Sequence, residues 1–208
     1  GVASQLRYLI PVLELRDHNP DDTAFMERAR EHGAVRYEWR DYEQIADDLK
    51  RAVLISEDAR FMEHIGFDWR GIRHAIERNE EAGRPVAGGS TVTQQLAKNL
   101  FLSSEKSYAR KIQEALIALM LEATLSKKRI LELYLNTAQW GNRLFGAQAA
   151  ARHYFDVDAQ TLSPAQAAQL AVLLPRPSYY DVRGTTVYVE QRTLWIQKQL
   201  PLVRIPPP

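Results

Sequence analysis

Gly88-Gly-Ser-Thr-Val-Thr-Gln-Gln-Leu-Ala-Lys-Asn99 crowds small residues, hydroxyls, amides and one lysine into a single stretch. Gly88 and Gly89 permit backbone geometry closed to other residues and let a ligand approach closely. Ser90 or Thr91 is placed to cap a helix running through Gln94, Gln95 and Lys98. The capped end presents free N–H groups and a positive dipole end, and Lys98 adds a full charge about two turns on. This reads as an anion-binding helix start. It is not a phosphate-binding loop of the G-x-x-x-x-G-K-[ST] type, whose order is absent. A polar loop that merely caps an ordinary helix is the alternative reading of the same residues.

Outward from this stretch, nearly every long segment carries helical periodicity. Tyr42 to Ala59 places Ile45, Leu49, Ala52, Val53 and Leu54 near a 3.6-residue period. Ser107 to Leu125 has a wide apolar face through Ile112, Ala115, Leu116, Leu119, Met120 and Ala123, suited to a buried helix. Ser126 is expected to cap Lys127 to Asn136, and Gly146 to Phe155 forms a short Ala-rich helix. Ser163-Pro164-Ala165-Gln166 is a capping box with Pro in the first turn, and Pro175 ends that helix. Val187 to Leu200 reads as the final helix, and a strand is expected only near Val35 to Trp39. Asn79–Gly89 reads as a mobile loop leading into the glycine-rich stretch, and residues 175–186 as a second connector. The fold class is all-α.

Composition bounds the function without naming it. A chain of 208 residues with 45% hydrophobic and 25% charged content fits one ordinary globular domain. A net charge of +1 gives no global case for nucleic acid, and no helix shows a cationic stripe with interleaved aromatics. The absence of cysteine excludes disulfides and thiolate metal sites. No run approaches the roughly 20 apolar residues of a membrane span. Gly1 in place of Met is expected of a trimmed or processed chain.

Chemistry concentrates in two further segments. Residues 55–68 bring Glu57, Asp58, Glu63, His64 and Asp68 together. Adjacent carboxylates repel, which raises one of them toward the range of a general base. Glu57 follows the apolar run Val53-Leu54-Ile55, where a buried helix would open into a cleft. A solvated acidic helix end with Arg60 as counter-charge is the competing account. His64 has no ligand-spaced partner and reads as a structural histidine rather than a metal ligand. In Arg110-Lys-Ile-Gln-Glu114, Arg110 and Glu114 share a helix face, either as a surface ion pair or as part of a site with Lys98. A guanidinium and two ammonium groups beside a glycine-rich helix start suit a pyrophosphate. Lys127, Lys128 and Arg129 are three cations at a helix start, open to anionic head groups or to solvent. Ser103-Ser-Glu-Lys106 matches S-x-x-K but lacks its companion motifs and reads as chance.

Taken in order, Glu57-Asp-Ala-Arg-Phe-Met-Glu-His-Ile-Gly66, the Gly88–Asn99 stretch, Arg110–Glu114, Lys128-Arg-Ile-Leu-Glu-Leu-Tyr-Leu-Asn136 and Gly146 to Phe155 resemble the five-motif signature of the peptidoglycan glycosyltransferases, family 51. The resemblance runs from about Asp41 to Leu200. Trp140-Gly141, Phe145-Gly146-Ala147 and the pattern Val187-Tyr-Val with Arg192 and Trp195-Ile196 are most similar to monofunctional members. It implies a lysozyme-like fold, with a helical head and a small, partly mobile jaw at roughly 65–102. It also implies one glycosyltransferase domain over residues 1–208, whose N-terminal membrane anchor is expected to be missing from this chain. The implied activity is polymerisation of lipid II into β-1,4-linked glycan with inversion and release of undecaprenyl pyrophosphate. Glu57 would be the base, and Glu114 a second essential carboxylate that orients cations or holds a metal. Lys98, Arg110 and Lys111 would bind the donor pyrophosphate, with Gly88, Ser90, Thr91, Gln94 and Gln95 lining the cleft. Asp58, Phe61 and His64 would shape the catalytic loop. No organic cofactor is implied, and a divalent Mg or Mn is the candidate metal. The implied partners are lipid II, the growing glycan, other cell-wall synthesis proteins and the membrane surface, with no nucleic acid. The membrane would be met by the jaw through Phe67, Trp69, Phe101 and Leu102. The implied location is the bacterial cytoplasmic (inner) membrane, with the catalytic domain on its outer, periplasmic face.

Two other classes compete with this reading. A muramidase or lytic enzyme on the same fold would need an acid as well as a base or nucleophile at the glycosidic bond. A pyrophosphate leaving group instead needs cationic stabilisation, which is what the motifs supply. A non-catalytic helical scaffold would need none of this convergence.

Overall fold

A computed structural model describes residues 6–84, 88–105 and 107–208. Among them the helices are α1 (Leu9–Glu14), α2 (Ala24–Arg30), α3 (Asp47–Glu57), α4 (Trp69–Ala82), α5 (Val92–Phe101) and α6 (Tyr108–Thr124). They continue as α7 (Lys127–Thr137), α8 (Ala147–Phe155), α9 (Pro164–Leu173), α10 (Pro177–Arg183) and α11 (Val187–Gln199). Strands β1 (Arg36–Tyr37), β2 (Gln139–Gly141) and β3 (Leu144–Phe145) make one small sheet in the order β1-β3-β2. β1 runs parallel to β3 with Arg36 opposite Leu144, and β2 runs antiparallel to it. The molecule is mainly α, as the periodicity predicts.

Local chemistry starts most of these helices. Thr23, Asp68, Thr91, Ser107, Ser126, Ser163 and Thr186 each accept a hydrogen bond from the backbone N–H three residues on. Each such cap stabilises its helix by about 1 kcal/mol. The Ser163 box with Pro164 in the first turn forms as expected.

The centre of the packing is α7, in which every residue from Ile130 to Thr137 is buried. A helix buried on all sides must satisfy its own polar side chains. Asn136 does so by clasping the backbone of Arg40: its Oδ1 accepts from the Arg40 N–H at 2.8 Å, and its Nδ2 donates to the Arg40 carbonyl at 2.8 Å. Glu132 accepts from the Tyr42 N–H at 2.6 Å and from the Arg129 guanidinium at 2.5 Å. These bonds fasten residues 40–42 to α7 just before α3 begins. Helices α5, α6 and α8 pack on α7, while α9 packs against α3 and α11. One apolar cluster runs through all of them. Trp140 is fully buried within it and donates its indole N–H to the Leu170 carbonyl at 2.9 Å.

The structure corrects several sequence expectations. The segment 42–59 is not one helix: Tyr42–Gln44 form a 3-10 turn, Ile45 is extended, and α3 starts at Asp47. The Ala46 N–H bonds the Ala159 carbonyl at 3.0 Å, which draws the chain out of helical geometry at the break. Residues 175–186 are not a plain connector, because α10 starts on Pro177 and stops at Gly184. Asn79 to Ala82 belong to α4, which stops at Gly83 with φ +63°, and residues 85–87 lie outside the described residues. Only Ala75 of α4 is buried, so this helix stands off the core. By contrast α5 contributes Val92, Leu96, Ala97 and Leu100 to it. No helix among the described residues is long and apolar enough to cross a membrane.

Gly146 joins β3 to α8 at φ +85°, and a Cβ there would lie 2.5 Å from the Asn136 carbonyl oxygen, backbone against backbone. Gly83 has a similar φ of +63° but open space around it. Gly83→Ala is therefore expected to cost about 1–2 kcal/mol of left-handed strain. Gly146→Ala should cost clearly more, since the clash with α7 adds to the same strain. Thermal or denaturant unfolding of the two variants checks that order.

Candidate active site

The site forms where α3 ends and α5 begins. Asp58, just past the last residue of α3, accepts from the Val92 N–H of α5 at 3.0 Å through Oδ2 and contacts His64 Nε2 at 2.8 Å through Oδ1. Both side chains are buried. The positive end of α5 therefore already holds an anion, and that anion belongs to the protein. Thr91, not Ser90, is the cap, and it also donates to the Gly66 carbonyl at 2.7 Å. Gln94 completes the box by accepting from the Thr91 N–H at 2.9 Å. Three N–H groups at this helix start, those of Thr91, Val92 and Gln94, are thus taken by Gln94, Asp58 and Thr91. Phe61 is buried beneath the loop, with its ring edge-on to His64 and the Lys127 ammonium 4.3 Å from its centroid. Asp58, Phe61, His64, Thr91 and Gln94 are all buried and frame the site, with His64 Nδ1 left without a hydrogen-bond partner among the described residues.

Glu57 is the last residue of α3 and is partly accessible. Its Oε2 accepts from Gln95 Nε2 at 3.0 Å and its Oε1 from the Ser56 hydroxyl at 3.1 Å. Burial pushes this carboxyl above the ordinary glutamate range; the two hydrogen bonds and the Lys98 charge oppose the rise, and the Asp58 charge adds to it. Lys98 lies one turn beyond Gln95 on the same face of α5. Burial holds its ammonium below the usual lysine range, Glu114 opposes that, and the charges of Arg110 and Lys111 reinforce it. Its ammonium lies 5.6 Å from the Phe25 ring centroid and forms no ion pair among the described residues.

The remaining cations are tied to Glu114, which is 2% exposed. Arg110 Nη1 donates to its Oε2 at 2.8 Å, and the Lys111 ammonium donates to its Oε1. Lys111 also reaches the Ser90 hydroxyl at 3.0 Å, which joins the glycine-rich stretch to α6. Gly89 lies against α4, where a Cβ would come 3.3 Å from Ile72 Cα, whereas Gly88 faces open space. Both oxygens of Glu114 are engaged by cations, and the described residues contain no group of three or more acidic or histidine side chains placed around one point.

Other sequence readings resolve as follows. Lys127 and Arg129 are held in largely buried pairs with Glu122 at 2.8 Å and Glu132 at 2.5 Å, while Lys128 meets Glu43 at 2.6 Å in an exposed pair that solvent reaches. Arg60 neutralises Glu63 and Asp68 rather than Glu57. Leu102 is buried and Phe101 packs on Tyr8, so neither is available to a membrane, while Trp69 is 72% exposed and stacks on Phe67. In the S-x-x-K match, Lys106 lies outside the described residues.

Two residues escaped sequence reasoning. Glu122 accepts from the Gly66 N–H at 3.1 Å, the Thr93 hydroxyl at 2.7 Å and Lys127 at 2.8 Å, pinning the loop after Glu57 to α5 and α6. A lone carboxylate amid Leu119, Met120, Leu121 and Ala123 was the available signal. Tyr134 donates to Gln95 Oε1 at 3.0 Å, but within the run Ile130 to Leu135 nothing in the sequence separates it from a packing residue.

Comparison with known proteins names this arrangement. A family model described as Transglycosylase matches residues 23–201. The chain is 66% identical over 205 residues to a biosynthetic peptidoglycan transglycosylase of Alcanivorax borkumensis, covering 99% of this chain and 84% of the relative. It is 54% identical over 173 residues to the protein of that name from an Azoarcus species, covering 80% and 75%. To the Laribacter hongkongensis protein of that name it is 50% identical over 196 residues, covering 91% and 86%. The matched region encloses Glu57, the Gly88–Asn99 stretch, Arg110 and Glu114, and the chain belongs to the transglycosylase family.

Proposed function

We propose that the enzyme polymerises lipid II into β-1,4-linked peptidoglycan strands, with inversion at the anomeric carbon and release of undecaprenyl pyrophosphate. It is a cell-envelope transglycosylase. The observation that carries the finer reading is the convergence of a carboxylate, Glu57, held by Gln95 at 3.0 Å, with Lys98 one turn along the same helix and the Arg110–Lys111–Glu114 cluster.

The acceptor 4-hydroxyl attacks the anomeric carbon of the donor, the growing chain. A new C–O bond forms as the bond from that carbon to the pyrophosphate oxygen breaks. The hydroxyl proton passes to Glu57, whose raised affinity for protons suits a base working near neutral pH. Negative charge builds on the departing pyrophosphate, and Lys98, Arg110 and Lys111 are the groups to stabilise it. Glu114 holds Arg110 through Oε2 and Lys111 through Oε1, which fixes the two cations relative to each other. Ser90, held by Lys111, and Gly88 line the approach, and Gln95 holds the base. The chain's own cations supply the charge, and no step is routed through a divalent ion. A hydrolase acting on glycan would need a second carboxyl poised as an acid, and Glu114 is committed to its two cations.

The membrane carrying lipid II is met through the region around α4. Ile65 and Trp69 are 74% and 72% exposed at its base, close to the loop that carries the site residues. The catalytic domain then works on the outer face of the cytoplasmic membrane, where its lipid-linked substrate is presented.

Glu57→Gln is expected to lower polymer formation from labelled lipid II by more than about 10²-fold. Because the folded carboxyl is raised, its ionised form costs stability above the unfolded value, so the uncharged isostere should not lower the thermal midpoint at neutral pH. Loss of activity together with loss of folding would contradict this assignment.

The pH profile of kcat/KM should rise on the acid side above the ordinary glutamate range and fall before the ordinary lysine range. Lys98→Ala should reduce kcat/KM roughly 10²-fold or more. It should also erase the alkaline limb and move the acid limb up, since the Lys98 charge favours ionised Glu57. Steady-state rates across pH check all three.

Ile65→Ser with Trp69→Ser should weaken co-sedimentation with lipid vesicles. The rate on detergent-solubilised lipid II should fall much less.

A further inference from the structure

Tyr134 lies on α7 with its ring buried, 2% exposed. Its hydroxyl reaches Gln95 Oε1 at 3.0 Å, and on the other side of that carboxamide Nε2 reaches Glu57 Oε2 at 3.0 Å. The two ends of a carboxamide are nearly identical in shape, so packing alone does not choose between its two orientations. Gln95 is only partly buried.

We propose that Tyr134 is a positioning residue for the base: by donating to the Gln95 carbonyl it holds the carboxamide with its NH2 toward Glu57. The proposal rests on reading Glu57 as that base. In the observed orientation every group has a partner of the right kind. Tyr134 donates, the Gln95 oxygen accepts, the Gln95 nitrogen donates, and the carboxylate accepts. Turning the amide over would set an oxygen lone pair against the carboxylate. It would also leave the Tyr134 hydroxyl proton without an acceptor, since that hydroxyl makes no other hydrogen bond among the described residues. Burial and the nearby charges of Glu57 and Asp58 push the phenol well above its ordinary range, so it remains a donor throughout the working pH range.

The consequence falls on each catalytic turn. Once Glu57 has taken the acceptor proton it becomes a donor and would be stabilised by a turned Gln95 offering its oxygen. Tyr134 opposes that turn, so the protonated base gains nothing from Gln95 and releases its proton before the next sugar is added. Tyr134 is suited to this because it sits on the helix that Asn136 and Glu132 clamp to residues 40–42, immediately before α3.

The test is Tyr134→Phe in the full chain, which keeps the ring and removes only the hydroxyl. Two readouts apply: kcat and KM across pH with labelled lipid II, and direct titration of Glu57 by carbon-13 NMR of glutamate-labelled protein, assigned with Glu57→Gln. Loss of one neutral hydrogen bond predicts a roughly three- to tenfold fall in kcat/KM at neutral pH. The acid limb and the Glu57 titration should both move up by about half to one pH unit, because the Gln95 bond holds the carboxyl down. In a Gln95→Leu background, Tyr134→Phe should add nothing. An unmoved Glu57 titration, or an effect of Tyr134→Phe that persists without Gln95, overturns the proposal; so does a lower thermal midpoint with no change in either pH readout. Retained activity in Glu57→Gln would sink the base assignment instead, and the NMR titration would still judge the orientation of Gln95.

Discussion

The bond between the Asp58 carboxylate and the first N–H of α5 is the contact on which the site depends. It joins the end of one helix to the start of another, and it places a charge where the helix field favours it. Because Asp58 also meets His64, and Thr91 reaches back to Gly66, the whole turn from 58 to 66 is bound to α5. Glu57 has then only one place to go, against Gln95, with Lys98 one turn further along. The first N–H of the helix start is thus engaged in internal order.

The cations of the site are held in unequal ways. Arg110 and Lys111 share the buried Glu114, which cancels part of their charge and fixes their direction. Lys98 has no such partner among the described residues, and its burial makes the charged form costly. A partly buried ammonium without a counter-ion among the described residues is a poor arrangement for stability. The Glu122 junction and the Asn136 clasp on Arg40 brace the surrounding frame, while Arg60 Nε, His64 Nδ1 and Arg110 Nε are buried in it without a hydrogen-bond partner among the described residues. Active sites commonly concentrate strain of this electrostatic kind.

Much of the fold was legible. Ser107, Ser126 and Ser163 announce their helices because a cap is a local interaction over three residues, and the apolar spacing of 107–125 needs no partner to be recognised. The break at Ile45 was not legible, since it depends on a bond to Ala159 more than a hundred residues away. Helix α10 was hidden behind Pro177 and Gly184, which read as loop residues but serve as its first turn and its stop. In the site, Glu57, Lys98, Arg110 and Glu114 stood out because charge beside apolar runs is conspicuous. Thr91, Gln94 and Asp58 were equally visible, yet they look the same whether they face a ligand or each other.

The sequence alone determined the helical class, the caps, and the order of the chemically active segments, because all three follow from residue type and short-range spacing. Only the tertiary structure decided which of those residues face the cleft. It showed that a carboxylate of the chain itself, Asp58, meets the start of the glycine-rich helix, that Lys127, Lys128 and Arg129 are engaged by Glu122, Glu43 and Glu132, and that Tyr134 reaches Glu57 through Gln95. A hydrogen bond is satisfied by whatever reaches it, and what reaches it is set by helices brought together from distant parts of the chain.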